Sequence, residues 1–238
     1  MGASVSEPVG ELRSIVSHLK RLMKADMEMG LEPPTLSSFT LGYLDAGVSD
    51  FASLEDLRQF IGDCRRCRLC QGRTKLVFGE GSPKARLVFV GEGPGRDEDL
   101  AGLPFVGEAG RLLTKIIAAM GLRREEVYIC NVVKCRPPKN RDPQEDEVET
   151  CLPFLKGQLH LIRPEVICTL GRVAAQALLG HEFRITRERG KWTTFMETPL
   201  VPTFHPAYLL RNPSAKRQVW EDVKKVMKHL GLEVRKDA

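Results

Sequence analysis

Short apolar runs of strand length alternate, from residue 86 onward, with stretches whose apolar positions recur every three or four residues. Residues 86–91 (RLVFVG), 127–132 (VYICNV) and 165–170 (EVICTL) are nearly continuous apolar runs, the pattern of strands covered on both faces, and 200–204 is a weaker one. Between the first two, Leu112, Leu113, Ile116, Ile117 and Met120 fall at helical spacing, and Gly121 follows where a left-handed residue can end a helix. Asp142-Pro143 predicts another helix start, with Asp142 as cap, Pro143 in the first turn and Glu145 completing a capping-box-like set. Two more helices are predicted over 173–179 and 214–230. This alternation predicts an α/β fold, a parallel sheet with helices on both faces, whose ligand crevice lies at the carboxyl ends of the strands. The unusual residues collect there: Gly91 to Gly95 after the first strand, Asn131 at the end of the second, Gly171-Arg172 after the third and His205-Pro206 after the fourth.

Ahead of these elements the pattern changes. Leu12, Ile15, Val16, Leu19, Leu22 and Met23 line one face of a helix predicted over 11–24, and residues 29–51 then mix Gly, Pro and Ser without sustained period. The chain therefore divides near residue 55 into an N-terminal helical extension and linker (1–55) and an α/β domain (56–238). With 238 residues, 42% hydrophobic and 28% charged, the chain can bury one substantial core. No apolar run nears the ~20 residues that span a bilayer, and the first residues lack the basic, apolar, small order of a secretory signal; a cytoplasmic protein with no membrane partner is expected. The net charge of +5 is concentrated in 181–238, where twelve basic residues face seven acidic ones. Such a segment suits a polyanion such as nucleic acid, although a solvated face gives the same count.

Seven cysteines in a reducing compartment point away from disulfides and toward metal ligation, nucleophilic chemistry or burial. Cys130 and Cys168 lie inside apolar strands and read as small core residues. Cys64 and Cys67 form a CxxC pair, with Cys135 and Cys151 far downstream, in the basic and polar contexts CRRCRLC, KCRPPKN and ETCLPF. Four such thiols suit a zinc ion or an iron–sulfur cluster, and Cys70 could replace a member of the pair. The loop GEGPGRDED (91–99) puts glycines where backbone N–H groups can approach a ligand, with carboxylates beside them. It lacks the GK[ST] ending of a P-loop, and its acids would repel a triphosphate. Taken alone it reads equally well as a βα turn followed by solvated acids. In 203–211 (TFHPAYLLR), His205 stands on the same predicted rim as Glu92 and Asn131, the convergence of donors and acceptors that reading a base edge requires.

In their order and spacing, CRRC, RTKLVFGEGSP, GEGPGRDED, AGLPFVGEAGRLL, YICNVVKCRPPKNRDP, LGRVAAQALLG and HPAYLLRNP resemble the family 4 uracil-DNA glycosylases, from about Cys64 to Leu230. The resemblance implies a three-layer α/β/α fold around a central parallel four-stranded sheet. It also implies a structural [4Fe–4S] cluster on Cys64, Cys67, Cys135 and Cys151, and excision of uracil from single- and double-stranded DNA by a nucleoid-associated monomer. The family's uracil pocket falls on Gly93 for a backbone contact, Phe105 for stacking, Asn131 for the uracil edge and His205 for the carbonyl O2. Its acid, which assists the water or the cationic sugar, falls on Glu92. Arg211 is placed with this group, and 205–211 offers candidates for the wedge that replaces the flipped base. Relatives often have an acid where this chain has Arg96, so a supporting carboxylate role moves to Asp97, Glu98 or Asp99, or lapses. A sliding-clamp partner and the role of 1–55 are left open.

The implied chemistry is coherent. Uracil leaves as an anion from a sugar that becomes oxocarbenium-like, so a donor at O2 and a negative charge or oriented water at C1′ both lower the barrier. Asn131 can accept from N3–H and donate to O4, a pairing that cytosine reverses. A related branch that bonds covalently to DNA has a basic insertion with a reactive His after the Asn-bearing strand, whereas Asn131 here runs directly into VVKCRPPKNRDP. The rival reading is a non-catalytic DNA-binding or polymerase-associated module of the same fold, against which stand Glu92, Asn131 and His205 in their places. For an iron–sulfur redox enzyme the chain lacks anything resembling a flavin, nicotinamide or radical-cofactor site.

Overall fold

Three strands buried along their whole length set the plan of the molecule, whose computed structural model describes residues 51–233. They are β2 (Leu87–Gly91), β3 (Tyr128–Asn131) and β4 (Val166–Leu170), apolar on both sides as parallel strands are when helices cover both faces. β6 (Thr198–Thr203) lies parallel beside β4, and short antiparallel strands close the edges: β1 (Glu80–Gly81) against β3, and β5 (Thr193–Phe195) against β6. The sheet thus has six strands in the order β1-β3-β2-β4-β6-β5, with the expected parallel four at its centre. The edge strands carry little sequence signal. β1 has two residues, and β5 turns into β6 through Met196 and Glu197, both at positive φ (48° and 64°), where Gly or Asn is the usual marker of such a hairpin.

Period-two alternation sorts the strand side chains between two helical layers. Leu87, Phe89, Ile129, Cys168 and Val201 pack with Leu113 and Ile117 of α3 (Glu108–Ala119), Leu209 of α7 (Pro206–Arg211) and Val219, Val223 and Met227 of α8 (Lys216–His229). On the other face, Gln158 of α4 (Glu145–Ile162) bonds the Tyr128 hydroxyl, and α5 (Arg172–Leu179) packs on β2 and β4. Each fully buried Leu, Ile or Phe in these layers contributes about 1.5–3 kcal/mol. The helix expected to end at Gly121 does so, with Gly121 left-handed at φ 79°. Three short helices, α1 (Leu54–Ile61), α2 (Arg96–Ala101) and α6 (Ile185–Glu188), complete the α-helices of the described residues.

Two expectations shift. α4 begins at Glu145, because Asp142 does not cap it: the Asp142 carboxylate pairs with Arg172, while the Gln144 N–H donates to Glu147 at 2.8 Å in a capping box of its own. α1 (Leu54–Ile61) starts inside the region read as linker. The Ser53 hydroxyl caps it by accepting from the Asp56 N–H at 3.1 Å, Leu57 and Ile61 are buried, and Phe60 meets Phe154 of α4 edge-on with centroids 6.5 Å apart. The boundary expected near residue 55 therefore falls within this helix, and the helix predicted over 11–24 lies outside the described residues. Among the described residues no helix is long and apolar enough to cross a membrane.

Candidate active site

The parallel strands deliver their last residues to one edge of the sheet, and the backbone ladder there sets two candidate site residues, Glu92 and Asn131, next to each other. Gly91 of β2 pairs with Asn131 of β3, and the ladder runs one step further, Val132 N–H donating to the Gly91 carbonyl at 2.9 Å and Val133 N–H to the Glu92 carbonyl at 3.1 Å. A cleft of about 420 Å³ opens at this edge, lined by Glu92, Gly93, Phe105, Asn131, His205 and Arg211. All six residues singled out for the site thus meet in one place. A neighbouring depression of about 470 Å³ shares Asp142 but is lined otherwise by groups such as Arg172, Gln176 and His181, with no orphaned buried polar atom.

Asn131 is 1% exposed, and its Oδ1 is buried without a hydrogen-bond partner. Such an atom costs about 1–3 kcal/mol unless a ligand supplies a donor. The close packing around it explains Gly91, since a Cβ there would stand 2.3 Å from Asn131 Oδ1 and 2.6 Å from the Phe105 ring. Phe105 has φ 53°, a conformation that costs a bulky residue about 1–3 kcal/mol and persists only when its surroundings impose it. Here Glu98 imposes it, its Oε1 accepting the N–H groups of Val106 and Gly107, both at 2.9 Å, while Gly110 lets the Phe105 carbonyl pack against α3. Asp99 is buried and accepts the Thr74 N–H at 2.8 Å. Glu98 and Asp99 therefore hold backbone, and Glu98 also lines the cleft.

His205 caps α7, and its Nδ1 accepts the Ala207 N–H at 3.1 Å. That bond leaves the proton of a neutral ring on Nε2, as a donor. Burial, then the nearby Arg211 guanidinium, pushes its pKa down to about 4, so the ring is neutral near neutral pH. It sits 5.6 Å, centroid to centroid, from Phe105. Glu92 is half-buried, and burial, reinforced by the Asp142 carboxylate and opposed by Arg172, pushes its pKa up to about 7. Asp142 and Arg172 escaped the sequence reading as partners of Glu92, because the first reads as a helix cap and the second as a strand-end basic residue. Only the fold brings 92, 142 and 172 together.

Cys130 and Cys168 are core residues of β3 and β4, as expected. Cys135 and Cys151 are also buried, Cys64 and Cys67 partly so, and the thiols bear on one another electrostatically: Cys67 on Cys64, Cys135 on Cys67 and Cys64, Cys151 on Cys135 and Cys67. N–H donors are aimed at three of the sulfurs: Arg73 at Cys135 Sγ (3.1 Å), Arg66 at Cys64 Sγ (3.4 Å) and the Lys134 backbone at Cys151 Sγ (3.3 Å). Burial pushes the Cys135 thiol up to about 11 and Cys151 to about 12, so thiolates here need a cationic centre. Among the described residues no three Cys, His, Asp or Glu side chains are gathered tightly enough to hold a single ion. Cys70, the alternative to one member of the CxxC pair, lies beside Cys67.

The sequence profile of the Uracil DNA glycosylase superfamily matches residues 78–224, which span the sheet and the cleft. The chain is 47% identical over 184 residues to a type-4 uracil-DNA glycosylase of Sulfurisphaera tokodaii, covering 73% of this chain and 83% of that one. It is 49% identical over 184 residues to the type-4 enzyme of Archaeoglobus fulgidus (73% and 92%) and 47% identical over 176 residues to that of Thermotoga maritima (72% and 92%). A cleft that gathers an orphaned amide, a fixed aromatic ring, a neutral imidazole and a half-buried acid, on a sheet matched along its length, places the chain in the uracil-DNA glycosylase superfamily, among its type-4 members.

Proposed function

We propose that the protein removes uracil from single- and double-stranded DNA by hydrolysing the bond between N1 of the base and C1′ of the sugar. The observation that carries this is the unpaired Asn131 Oδ1, buried at the cleft between the Phe105 ring and the strand end that bears Glu92. A flipped uracil stacks on Phe105 and gives its N3–H to Asn131 Oδ1, while the Asn131 amide donates to O4. His205 Nε2–H faces O2, where negative charge grows as the C1′–N1 bond breaks. Water adds its oxygen to C1′, its proton goes to the departing base or to Glu92, and the products are uracil and an abasic site. Gly93 offers backbone without a side chain; a Cβ there would stand 2.7 Å from Val133. Tyr208, Leu210 and Arg211, exposed along α7 at the rim, supply the wedge.

The four cysteines fit a [4Fe–4S] cluster by the chemistry of the donor set: mutually interacting thiols, three of which receive an N–H. Cys64, Cys67, Cys135 and Cys151 would hold the cluster, which would supply a link between the CxxC loop, the turn after β3 and α4. The protein acts on DNA as a monomer, with the chain ahead of Phe51 outside the catalytic domain. Removing the chain ahead of Phe51, which spares Ser53 and α1, is expected to leave excision unchanged within about twofold.

Two measurements address the reading at single residues. Asn131→Asp places a carboxylate that cannot donate to O4 but can accept from the cytosine amino group, so the preference for uracil over cytosine falls by about tenfold or more. An unchanged preference moves base reading elsewhere. With the Glu92 carboxylate as the working form, kcat/KM rises as pH increases through about 7 and then levels, and neutral His205 keeps its role until pH falls toward about 4. Arg172→Gln removes a charge that favours ionised Glu92 and moves the acid limb to higher pH. A profile flat from about pH 5 to 9 contradicts the assignment of Glu92.

A further inference from the structure

Lys134 is sealed in the core, 1% exposed, although burying an ammonium costs several kcal/mol that an apolar side chain of the same length avoids. Its Nζ donates to the Asn131 carbonyl at 2.7 Å and to Gln158 Oε1 at 2.6 Å. Gln158, itself buried, is fixed in turn by donating to the Phe78 carbonyl at 2.8 Å and the Tyr128 hydroxyl at 3.1 Å. The main chain of Lys134 is held as firmly: its N–H donates to Cys151 Sγ at 3.3 Å, its carbonyl accepts from Val77 N–H at 2.8 Å, and Cys135 follows directly. The side chain thus folds back over the turn between β3 and the cysteine loop and grips the carbonyl of the residue whose amide faces the cleft. A methionine would fill that space. Only a donor can hold the carbonyl.

We propose that Lys134 is a positioning residue for base reading, locking the Asn131 main chain to the turn that carries Cys135 and touches Cys151, so that the cysteine site and the uracil-reading amide keep one register. The inference rests on the assignment of Asn131 to the uracil edge. It predicts that Lys134 acts through Asn131 and not through overall stability.

The test is a double-mutant cycle in the full chain between Lys134→Met and Asn131→Ala, read by single-turnover release of uracil from a uracil-containing oligonucleotide, by affinity for free uracil, and by iron per chain. Lys134→Met alone is expected to slow release by about 10- to 100-fold and to weaken free uracil, with iron content at the parental level. In the Asn131→Ala background it is expected to slow release by less than about twofold further, the non-additivity of residues that act as one unit. If the two effects multiply, or if Lys134→Met loses iron or leaves release unchanged, the coupling is wrong. Should Lys134→Met fail to fold, Lys134→Gln, which keeps polarity and a shorter donor, goes through the same cycle with the same non-additivity expected. A parent protein that releases no uracil overturns the functional reading and this inference with it; an active parent with multiplying effects overturns this inference alone.

Discussion

His205→Ala is expected to slow single-turnover uracil release by roughly 10²–10³, about 3–4 kcal/mol of transition-state stabilisation, while leaving DNA affinity within about tenfold of the parent. The Ala207 N–H holds Nδ1 and burial keeps the ring uncharged, so Nε2–H is a preorganised donor that strengthens only as charge develops on O2. Glu92→Ala should fall in the same range for the complementary reason, because on the proposed reading the carboxylate serves the cationic sugar or its water. Affinity is expected to survive both changes, since phosphate contacts generally carry much of a protein's affinity for DNA. Glu92→Gln separates charge from shape: it fills the same volume, and its loss should match that of Glu92→Ala if the negative charge is what counts. Near-parental rates in both alanine variants under single-turnover conditions place the chemistry elsewhere.

The second large effect is on stability. If the proposed cluster is present, Cys135→Ala is expected to yield protein without iron or broad visible absorption, and without cooperative unfolding at the parental temperature, because binding free energy at such a site is folding free energy. The consequence is severe here because Cys135 and Cys151 are buried, and Arg73 donates directly to the Cys135 sulfur. Losing one ligand leaves the Arg73 guanidinium without its sulfur partner. Cys130→Ala is the control, a buried thiol in β3 outside the proposed ligand set, and should keep whatever iron the parent holds with only the cost of a small cavity. Colourless parental protein holding one zinc per chain would replace the cluster by a zinc site and leave the fold as it stands.

The parts of this molecule that could be read from the chain are those where composition alone forces the outcome. A strand buried on both faces has to be apolar throughout, so β2, β3 and β4 announce themselves, and a parallel sheet then gathers Glu92, Asn131 and His205 at one edge. The hidden parts are those decided by tertiary context. β5 is held by pairing with β6 through a hairpin without Gly or Asn, and α1 forms because Leu57 and Ile61 find α4. Phe105 adopts a left-handed backbone that nothing in AGLPFVG marks, since the force that imposes it is the Glu98 carboxylate acting from seven positions earlier in the chain. Asp142 is the instructive error. Its local chemistry fits a helix cap, but Arg172, distant in sequence, competes for the same carboxylate and wins.

Incubation of the purified full chain with single-stranded, U:G, U:A, T:G and hypoxanthine oligonucleotides, followed by direct detection of the released base, tests the central claim most directly. Free uracil and an abasic site are predicted from the single-stranded, U:G and U:A substrates, with no covalent protein–DNA adduct and no thymine from T:G. Iron-replete, folded protein that releases no uracil from any of them would contradict the account and leave a DNA-binding module of the same fold in its place.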